Sequence, residues 1–500
     1  EYAEKSKYAT LAGARNEDLS IRYAGIPDEL TALEKQLKKK IGIYKSALSG
    51  HRTNNKQHEE VASGRLIDLV DSLENLVRYF EKNYPKYYKL KYNPGTVSCL
   101  ELQKKFETDE ILCEYALTDS ILYIFVISAK KMKVIEKKIP DDLFLLIRQY
   151  RESVEIHKYR GFSEKDFVNF ATVCTKLYEY LIMPAGLPSN KSNLIIIPDG
   201  ELCNISFETL VRPGNQNTNS DNMDYRQLNF LLKHYSFSYG FSASLIFEDR
   251  KEKTPGKIRM LKICPDYSFL KNNNSMVLPP INSKGMKLME SSSRVSIDSL
   301  TGQQATKTNF FAIAGQYHIL HFDAHGIIDS IYPDYSGLIL NSANSDSAEM
   351  LFAHELYNLD LENSEMAVLC SCYGGGGNLV KGEGLMSLGR AFAYAGCSSI
   401  VTSLWALNNR AKKEIMRDYY RHLSRGRKKS EALRLAKLHF LQNADPVLTH
   451  PISWGGLIVI GSDKAVLNEK PMWPWIAGSF LLLAAWLTFW KYRKNFRKEE

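Results

Sequence analysis

The chain has 500 residues, of which 44% are hydrophobic and 24% charged, a composition typical of folded globular protein. One hydrophobic core rarely organises so long a chain, so we expect two or three structural units. The net charge is +9, but five basic residues fall within the last ten positions, at Lys491, Arg493, Lys494, Arg497 and Lys498. The positive charge therefore does not indicate a nucleic-acid-binding surface.

Most of the eight cysteines stand alone within apolar runs, where a small buried hydrophobic side chain is the expected role. Their spacing forms no framework, which argues against a disulfide-stapled module. The pair at Cys370 and Cys372 is the exception. The chain begins at Glu1 without a methionine or a signal peptide, in what looks like the middle of a helix, so we expect that upstream sequence has been removed.

Residues 1–96 are predicted to form a helical arm. Apolar residues recur at steps of three and four over 30–48 and again over 66–80, which predicts two antiparallel helices with a narrow apolar seam. Gly50 is expected to end the first helix, and the prolines and glycine within 85–95 are expected to end the helical region.

Residues 97–465 follow a different pattern, in which short apolar strands alternate with helices. Strands are predicted at 111–117, 121–128, 194–197, 259–263, 317–322, 366–370 and 399–403, and helices at 141–158, 163–181, 306–314, 385–394 and 411–423. Buried strands that alternate with helices indicate a mostly parallel sheet covered on both faces, which is a three-layer α/β/α sandwich.

Residues 471–490 contain no charged side chain and hold four of the six tryptophans of the chain. A helix of that length spans about 30 Å, the thickness of a bilayer core, and tryptophans flank such spans. The segment is therefore predicted to be one transmembrane helix, followed by a basic tail at 491–500. A buried core helix is the alternative interpretation.

The basic residues near this span suggest its orientation. They are more numerous after the span than before it. We therefore expect a single-pass membrane protein with a cytoplasmic tail and an extracytoplasmic main domain. A tail anchor without an upstream signal peptide is the alternative, and it leaves the main domain cytoplasmic.

Two predicted strands end in side chains suited to nucleophilic catalysis. His325 follows the strand 317–322 and precedes Gly326, while Cys372 follows the strand 366–370 and stands just before a glycine-rich run. Ligands bind outside the carboxyl ends of strands in open α/β sheets, so we expect both side chains in one crevice. An imidazole that accepts the proton of a nearby thiol makes that thiol a good nucleophile. The backbone N–H groups of Gly326 and Cys372 are candidates for an oxyanion hole.

Several stretches of the chain, taken in order, resemble the CHAT family of caspase-like proteins, which are relatives of separase and the caspases. These stretches are Leu194–Leu202, Ser206–Leu210, His321–Gly326, Val368–Cys372, Gly382–Leu385, Ala391–Gly396, Val401–Trp405 and Trp454–Gly456. The resemblance covers about 100–462, and the helices before it resemble the arm that follows tetratricopeptide repeats in such proteins. His325 and Cys372 are 47 positions apart, close to the roughly 50 that separate the two residues in caspases.

The resemblance implies a caspase-like fold and a cysteine endopeptidase that hydrolyses a peptide bond in a protein substrate. His325 is then the general base and Cys372 the nucleophile, and no metal or organic cofactor is needed. Cys370 lies two positions earlier, where the family usually has serine, and we prefer Cys372 as the nucleophile. Related proteases often cleave after Lys or Arg, which makes Glu383 a candidate for binding a basic substrate residue.

The chain departs from the family pattern in two places. Tyr373 and the glycines after it replace the usual Glu-Thr-Gly, which leaves the shape of that loop open. Asp323 stands where a small residue is common, and it shares a face with His325 if the strand is regular. It is a candidate for orienting the imidazole or binding a basic substrate residue. An acid satisfied by a neighbouring backbone N–H is an equal alternative.

Three other kinds of site fit the sequence less well. The glycines at 374–377 lack the Lys and Ser or Thr of a phosphate-binding loop. Cys370, Cys372 and His325 lack a second cysteine pair that would complete a zinc site, so no metal is expected. Tyr239–Ser244 is similar to a serine-hydrolase elbow but ends in serine where glycine is required.

The main alternative to an enzyme is a caspase-like fold retained as a catalytically silent interaction or scaffold module at the membrane. In either case we expect attachment to the membrane through 471–490, a partner protein that the helical arm senses, and no nucleic acid. For the enzyme, we expect the arm to gate the crevice and so regulate cleavage of the protein substrate.

Overall fold

The computed structural model describes parts of 27–44 and the ranges 56–84, 97–155, 163–188, 192–214, 224–247, 257–267, 294–328, 335–342, 347–356, 359–369 and 383–467. Asp323, His325 and Gly326 lie within these ranges. Cys370 and Cys372 lie outside the described residues.

Two helices pack against each other in the arm. The described residues within 29–44 are helical, and α1 spans Lys56–Asn83. Leu37 on the first helix belongs to one buried apolar cluster with Leu76 and Phe80 on α1. The apolar seam that the sequence predicts is therefore confirmed.

The remaining described residues are built on two sheets. The strands are β1 (Glu110–Leu117), β2 (Ile121–Ser128), β3 (Met132–Lys138), β4 (Asn193–Ile197), β5 (Ser236–Tyr239), β6 (Ile258–Cys264), β7 (Val295–Thr301), β8 (Ile319–Phe322), β9 (Gly326–Ile327), β10 (Gly337–Asn341), β11 (Ala348–Phe352), β12 (Met366–Leu369), β13 (Ser399–Ser403) and β14 (Leu457–Gly461).

The larger sheet has eleven strands in the order β3–β2–β1–β4–β5–β14–β13–β12–β8–β6–β7. Among these described strands, the antiparallel pairs are β3–β2, β2–β1 and β14–β13, and the other neighbours run parallel. The small sheet has three strands in the order β11–β10–β9, all antiparallel. The prediction of a mostly parallel sheet is confirmed.

Helices cover both faces of the larger sheet. They are α2 (Cys99–Lys105), α3 (Leu143–Glu155), α4 (Glu164–Leu181), α5 (Ala243–Ile246), α6 (Lys307–Ile313), α7 (Ala353–Leu356), α8 (Glu383–Tyr394), α9 (Asn409–Ser424) and α10 (Lys429–Asn443). Helices α3, α4, α9 and α10 share an apolar core with one face, and α2, α5, α6, α7 and α8 share two cores with the other. Alternate residues of β8 divide accordingly, since Ile319 joins the first core while Leu320 and Phe322 face away from it. These contacts give the three-layer α/β/α arrangement.

Local sequence signals explain where these elements form. Helices α2 and α4 begin after Ser98 and Ser163, whose hydroxyls accept the backbone N–H of an acidic residue three positions on. That acidic side chain accepts the N–H of the serine in return, which satisfies two groups that a helix end leaves without a partner. Strand β4 is buried at all five positions because helices cover both of its faces.

The predicted transmembrane helix and the single-pass membrane localisation are corrected by this structure. In the ranges that the structure describes, no helix is both long and apolar enough to cross a membrane. The segment that carried the prediction, 471–490, lies outside the described residues. The apolar helices that are described, such as α4, bury one face against the sheet.

Candidate active site

The candidate site lies at the edge where three parallel strands end. Phe322, the last residue of β8, is paired with Leu369 of β12 on one side and Ile263 of β6 on the other. The segments 265–267 and 323–325 therefore leave the sheet at the same edge. The segment 370–382, which follows β12 and contains both candidate thiols, lies outside the described residues.

His325 stands where the chain passes from the larger sheet to the small one, between β8 and β9. It is buried, with 7% of its surface exposed. Its backbone N–H donates to the hydroxyl of Tyr267 at 3.0 Å, and its carbonyl accepts the N–H of Ile339 at 2.8 Å. The rings of His325 and Tyr267 lie 5.0 Å apart between centroids. The peptide groups of His325 are therefore held from two directions.

Tyr267 reaches this position from the segment that follows β6. Its hydroxyl donates to the carbonyl of Ile339 at 2.8 Å. The side chain of Asn341 fixes the residue before it, accepting the N–H of Asp266 at 3.0 Å and donating to the carbonyl of Asp266 at 2.8 Å. Burial raises the pKa of Tyr267 above its usual range, so the hydroxyl keeps its proton at neutral pH and can donate.

Tyr267 and Asn341 are absent from the site that the sequence predicts. The available signal was the Pro265-Asp266-Tyr267 stretch directly after a predicted strand, because ligand-binding residues collect at the carboxyl ends of parallel strands. Asn341 is the last residue of β10, a strand that was not predicted from the sequence.

Asp323 lies at the same edge and is 4% exposed. Its backbone N–H donates to the carbonyl of Ile263 at 2.8 Å, which continues the pairing of β8 with β6. Burial raises the pKa of the Cys264 thiol, and the negative charge of Asp323 raises it further. Cys264 is therefore a protonated thiol at neutral pH and a poor nucleophile, although it ends a strand at this edge.

The two other predicted site residues are placed differently. Gly326 begins β9 and is paired with Leu338 of β10. Facing residues in an antiparallel pair alternate between hydrogen-bonded and non-hydrogen-bonded pairs. His325 and Ile339 are a hydrogen-bonded pair, so Gly326 and Leu338 are a non-hydrogen-bonded pair. The N–H of Gly326 is therefore directed away from β10. Glu383 is the first residue of α8, and its side chain lies outside the described part of the chain.

The second histidine of the predicted motif, His321, belongs to the core. It is 4% exposed, and its Nδ1 forms a hydrogen bond with the hydroxyl of Tyr420 on α9 at 2.6 Å. Burial, together with the smaller effect of the charges of Lys262 and Lys412, lowers the pKa of His321 to about 3. His321 is therefore neutral at physiological pH, and of the two histidines only His325 follows the end of the strand.

His321 should make the stability of the protein depend on acid. Because its pKa is about 3 in the folded state and about 6.5 in an unfolded chain, the folded state binds fewer protons between these values. The free energy of unfolding should therefore fall as the pH drops through this window, by up to about 1.4 kcal/mol per pH unit. His321→Asn, which keeps a polar group near the position of Nδ1, should remove this part of the pH dependence.

Urea unfolding between pH 7 and pH 4.5 measures this dependence. The matched variant His318→Asn changes a histidine just before β8 and should keep the steep dependence of the wild type. Equal slopes for His321→Asn and the wild type would contradict a neutral, buried His321.

Within the described residues, no group of three or more His, Cys, Asp or Glu side chains is arranged to hold a metal ion. Asp323 and His325 lie two positions apart at the sheet edge. Cys370 and Cys372, whose thiols could also bind a metal, lie outside the described residues. The described residues thus place a buried carboxylate and a buried imidazole two positions apart at this edge.

Comparison with solved structures finds the separase–securin complex of Saccharomyces cerevisiae. One crystal structure, at 3.0 Å resolution, gives a TM-score of 0.43 with 10% identity, covering 82% of this chain and 34% of that chain. Another, at 2.6 Å resolution, gives 0.40 with 9% identity, covering 91% of this chain and 40% of that chain.

Among curated proteins, the chain is similar to tetratricopeptide repeat protein 28. The mouse (Mus musculus) protein is 33% identical over 105 residues, which is 21% of this chain and 4% of that protein. The human (Homo sapiens) protein is 36% identical over 84 residues, which is 17% of this chain and 3% of that protein. The chain thus spans a small fraction of the length of these relatives.

The family comparison matches the CHAT domain over residues 171–462, which is more than half of the chain and includes β4 to β14. The matched range contains the stretches that carried the resemblance in the sequence, including the histidine and cysteine motifs. The chain belongs to the CHAT domain family.

Proposed function

We propose that this chain is a caspase-like cysteine endopeptidase in which His325 and Cys372 form the catalytic pair. The observation that carries the proposal is the register of two neighbouring strands. Phe322 of β8 is paired with Leu369 of β12, and the two strands run parallel. His325 lies three positions after Phe322, and Cys372 lies three positions after Leu369.

Chain length supports the pairing. Neighbouring strands lie about 4.8 Å apart, and three residues reach at most about 11 Å from the end of a strand. The thiol of Cys372 can therefore come within hydrogen-bond distance of the imidazole without any change in the sheets. Cys370 directly follows the last residue of β12, which leaves it less reach, and we keep it as the lesser candidate.

The chemistry follows from these two groups. His325 accepts the proton of the Cys372 thiol, and the thiolate attacks the carbonyl carbon of the scissile peptide bond, forming a C–S bond and an oxyanion. When the oxyanion collapses, the C–N bond breaks and the imidazolium gives its proton to the departing amine. Water then hydrolyses the thioester, which releases the carboxylic acid and restores the thiol.

The oxyanion needs donors that are in place before the reaction. The N–H of Gly326 is directed away from β10, as the alternation of the antiparallel pair requires. We assign this N–H and that of Cys372 to the oxyanion hole. Glycine at 326 also lets a substrate carbonyl approach the backbone closely.

Substrate preference is assigned to two acidic residues. Asp323 lies at the same sheet edge as His325, and Glu383 begins α8 directly after the segment that contains Cys372. A carboxylate at this edge favours a substrate with Lys or Arg before the cleaved bond. Losing a charged hydrogen bond of this kind lowers kcat/KM by about tenfold to a hundredfold.

The division of the chain is part of the same proposal. Residues 1–96 form the arm and 97–465 the catalytic domain, and the arm senses a partner protein that controls cleavage. The arm exposes the apolar side chains of Leu33, Ile67 and Tyr79, which are candidates for contact with that partner. Removing 1–95 should change the rate of peptide cleavage by a folded truncated protein; an unchanged rate would rule out this control.

Cleavage of fluorogenic peptides tests the proposed function. A peptide set that differs only in the residue before the cleaved bond is compared for the wild type, Cys372→Ala, Asp323→Asn and Glu383→Gln. We expect the wild type to prefer Lys or Arg, Cys372→Ala to be inactive, and at least one acid variant to lose the preference while cleaving neutral peptides normally. Equal cleavage by Cys372→Ala would reject the proposal. A cellular role that survives Cys372→Ala would favour a silent interaction module instead.

A further inference from the structure

At His325, one of the two backbone hydrogen bonds expected between the antiparallel strands β9 and β10 is replaced by a side chain. Gly326 and Ile327 are paired with Leu338 and Gly337, so the next facing pair in this register is His325 with Ile339. A bonded pair of this kind exchanges two N–H···O bonds. The bond from the N–H of Ile339 to the carbonyl of His325 is present at 2.8 Å.

The hydroxyl of Tyr267 takes the place of the second bond. The N–H of His325 donates to this hydroxyl at 3.0 Å, and the hydroxyl donates to the carbonyl of Ile339 at 2.8 Å. Three hydrogen bonds thus link Tyr267, His325 and Ile339 in a closed ring. The hydroxyl oxygen thus bridges the N–H of His325 and the carbonyl of Ile339 at the position of the proposed base.

Tyr267 is itself held firmly. It is 4% exposed, and the two hydrogen bonds between the Asn341 side chain and the backbone of Asp266 fix the chain next to it. The ring of Tyr267 also lies against the imidazole of His325, with the two ring planes at 53°. One side chain therefore contacts both the peptide group and the ring of His325.

We infer that Tyr267 is a positioning residue, which sets the place and direction of the His325 imidazole by substituting its hydroxyl for one bond of the strand pair. This inference rests on the proposed function only in its consequence for catalysis. Without the hydroxyl, the N–H of His325 and the carbonyl of Ile339 lose the partner that it supplies, so β9 is held less firmly against β10. The imidazole is then less well placed, and a displacement of about 1 Å can lower a catalytic rate about a hundredfold.

The test compares Tyr267→Phe with Tyr317→Phe, a matched control. Tyr317 is also 4% exposed, and its hydroxyl donates to Asp298 at 2.9 Å. It lies before the amino end of β8, whereas the site follows the carboxyl end. The first measurement is backbone amide hydrogen exchange at His325. We expect Tyr267→Phe to raise the exchange rate about tenfold, and Tyr317→Phe to leave it unchanged. An unchanged rate in Tyr267→Phe overturns the inference, whatever the activity.

The second measurement is the rate of Cys372 alkylation by iodoacetamide as a function of pH, mapped by mass spectrometry, with His325→Ala as a reference. We expect the pH profile of Tyr267→Phe to move towards that of His325→Ala, and kcat to fall about tenfold to a hundredfold with little change in KM. If His325→Ala alters the profile and Tyr267→Phe does not, the positioning role is rejected and the catalytic pair stands. If the pH profile of His325→Ala matches that of the wild type, the catalytic pair is rejected. The role of Tyr267 in catalysis is then rejected too.

A second variant covers the case in which Tyr267→Phe does not fold. Asn341→Ser keeps the tyrosine hydroxyl but loses the two bonds that fix Asp266. Amide exchange at His325 should rise in this variant also. Exchange equal to that of the wild type would overturn the inference.

Discussion

Replacing His325 with alanine is expected to lower kcat/KM for peptide hydrolysis by about a hundredfold to ten-thousandfold, the usual contribution of a general base. The loss should appear mainly in kcat, because the imidazole moves a proton in the transition state and binds little of the substrate. The fold should survive the change, since the main-chain bonds of His325 to Tyr267 and Ile339 do not involve its side chain. Peptide hydrolysis by purified wild type and variant measures the effect.

The control for this variant is His318→Ala, which removes an imidazole just before β8. The Nδ1 of His318 accepts the N–H of Arg259 at 3.0 Å, at the opposite end of the strand from the site. Its kcat should stay close to the wild-type value. Activity of His325→Ala equal to that of His318→Ala would contradict the role of His325 as the base.

Lys437→Met is expected to destabilise the fold by about 3–5 kcal/mol, the usual cost of leaving one member of a buried ion pair alone. Lys437 on α10 is fully buried and forms an ion pair with Glu208, whose side chain is 3% exposed. It also donates to the carbonyl of Leu457 at 2.5 Å. Burial raises the pKa of Glu208 and lowers that of Lys437, and each charge opposes the shift of its partner. Urea unfolding at pH 7 measures the loss.

A double variant separates the lost charge pair from the lost packing. Glu208→Gln combined with Lys437→Met removes both charges, so no buried carboxylate is left without a counter-charge. Its stability should return most of the way towards that of the wild type. A double variant as unstable as Lys437→Met, or a single variant that costs less than about 1 kcal/mol, would show that the pair is not the source of stability.

The parts of the fold that the sequence predicted correctly are those with continuous local signals. The strands β1, β2, β4, β6, β8, β12 and β13 and the helices α3, α4, α6, α8 and α9 agree with the predicted segments to within a few residues. Each is a short apolar run or an amphipathic repeat that ends at a glycine, proline or polar cluster. The two helices of the arm were predictable for the same reason.

The elements that the sequence did not predict depend on distant contacts. Strand β5, Ser236–Tyr239, alternates serine with aromatic residues and is too short to stand out, yet it lies buried between β4 and β14. Strand β14 enters the larger sheet between β5 and β13, which are far apart in sequence. The small sheet consists of strands of two to five residues. Pairing partners supply what local propensity lacks in such strands.

The site divides in the same way. The position of His325 at the end of β8 was predictable because an apolar strand precedes it, and the family match includes this stretch, while its catalytic role stays a prediction. Tyr267 was not, because its role depends on a hydroxyl that reaches a strand pair more than fifty positions away. The transmembrane prediction depended on the composition of 471–490, which lies outside the described residues, and no described helix is long and apolar enough to cross a membrane.

Labelling with an electrophilic thiol probe tests the catalytic pair most directly. The native protein is treated at neutral pH with a peptidyl acyloxymethyl ketone that carries Lys or Arg, and the modified residue is identified by mass spectrometry. We expect rapid labelling at Cys372 in the wild type and in Cys370→Ala, slow labelling in His325→Ala, and none in Cys372→Ala. Labelling of Cys372→Ala at the wild-type rate, or modification of Cys370 in place of Cys372, would contradict the assignment of His325 and Cys372 as the catalytic pair.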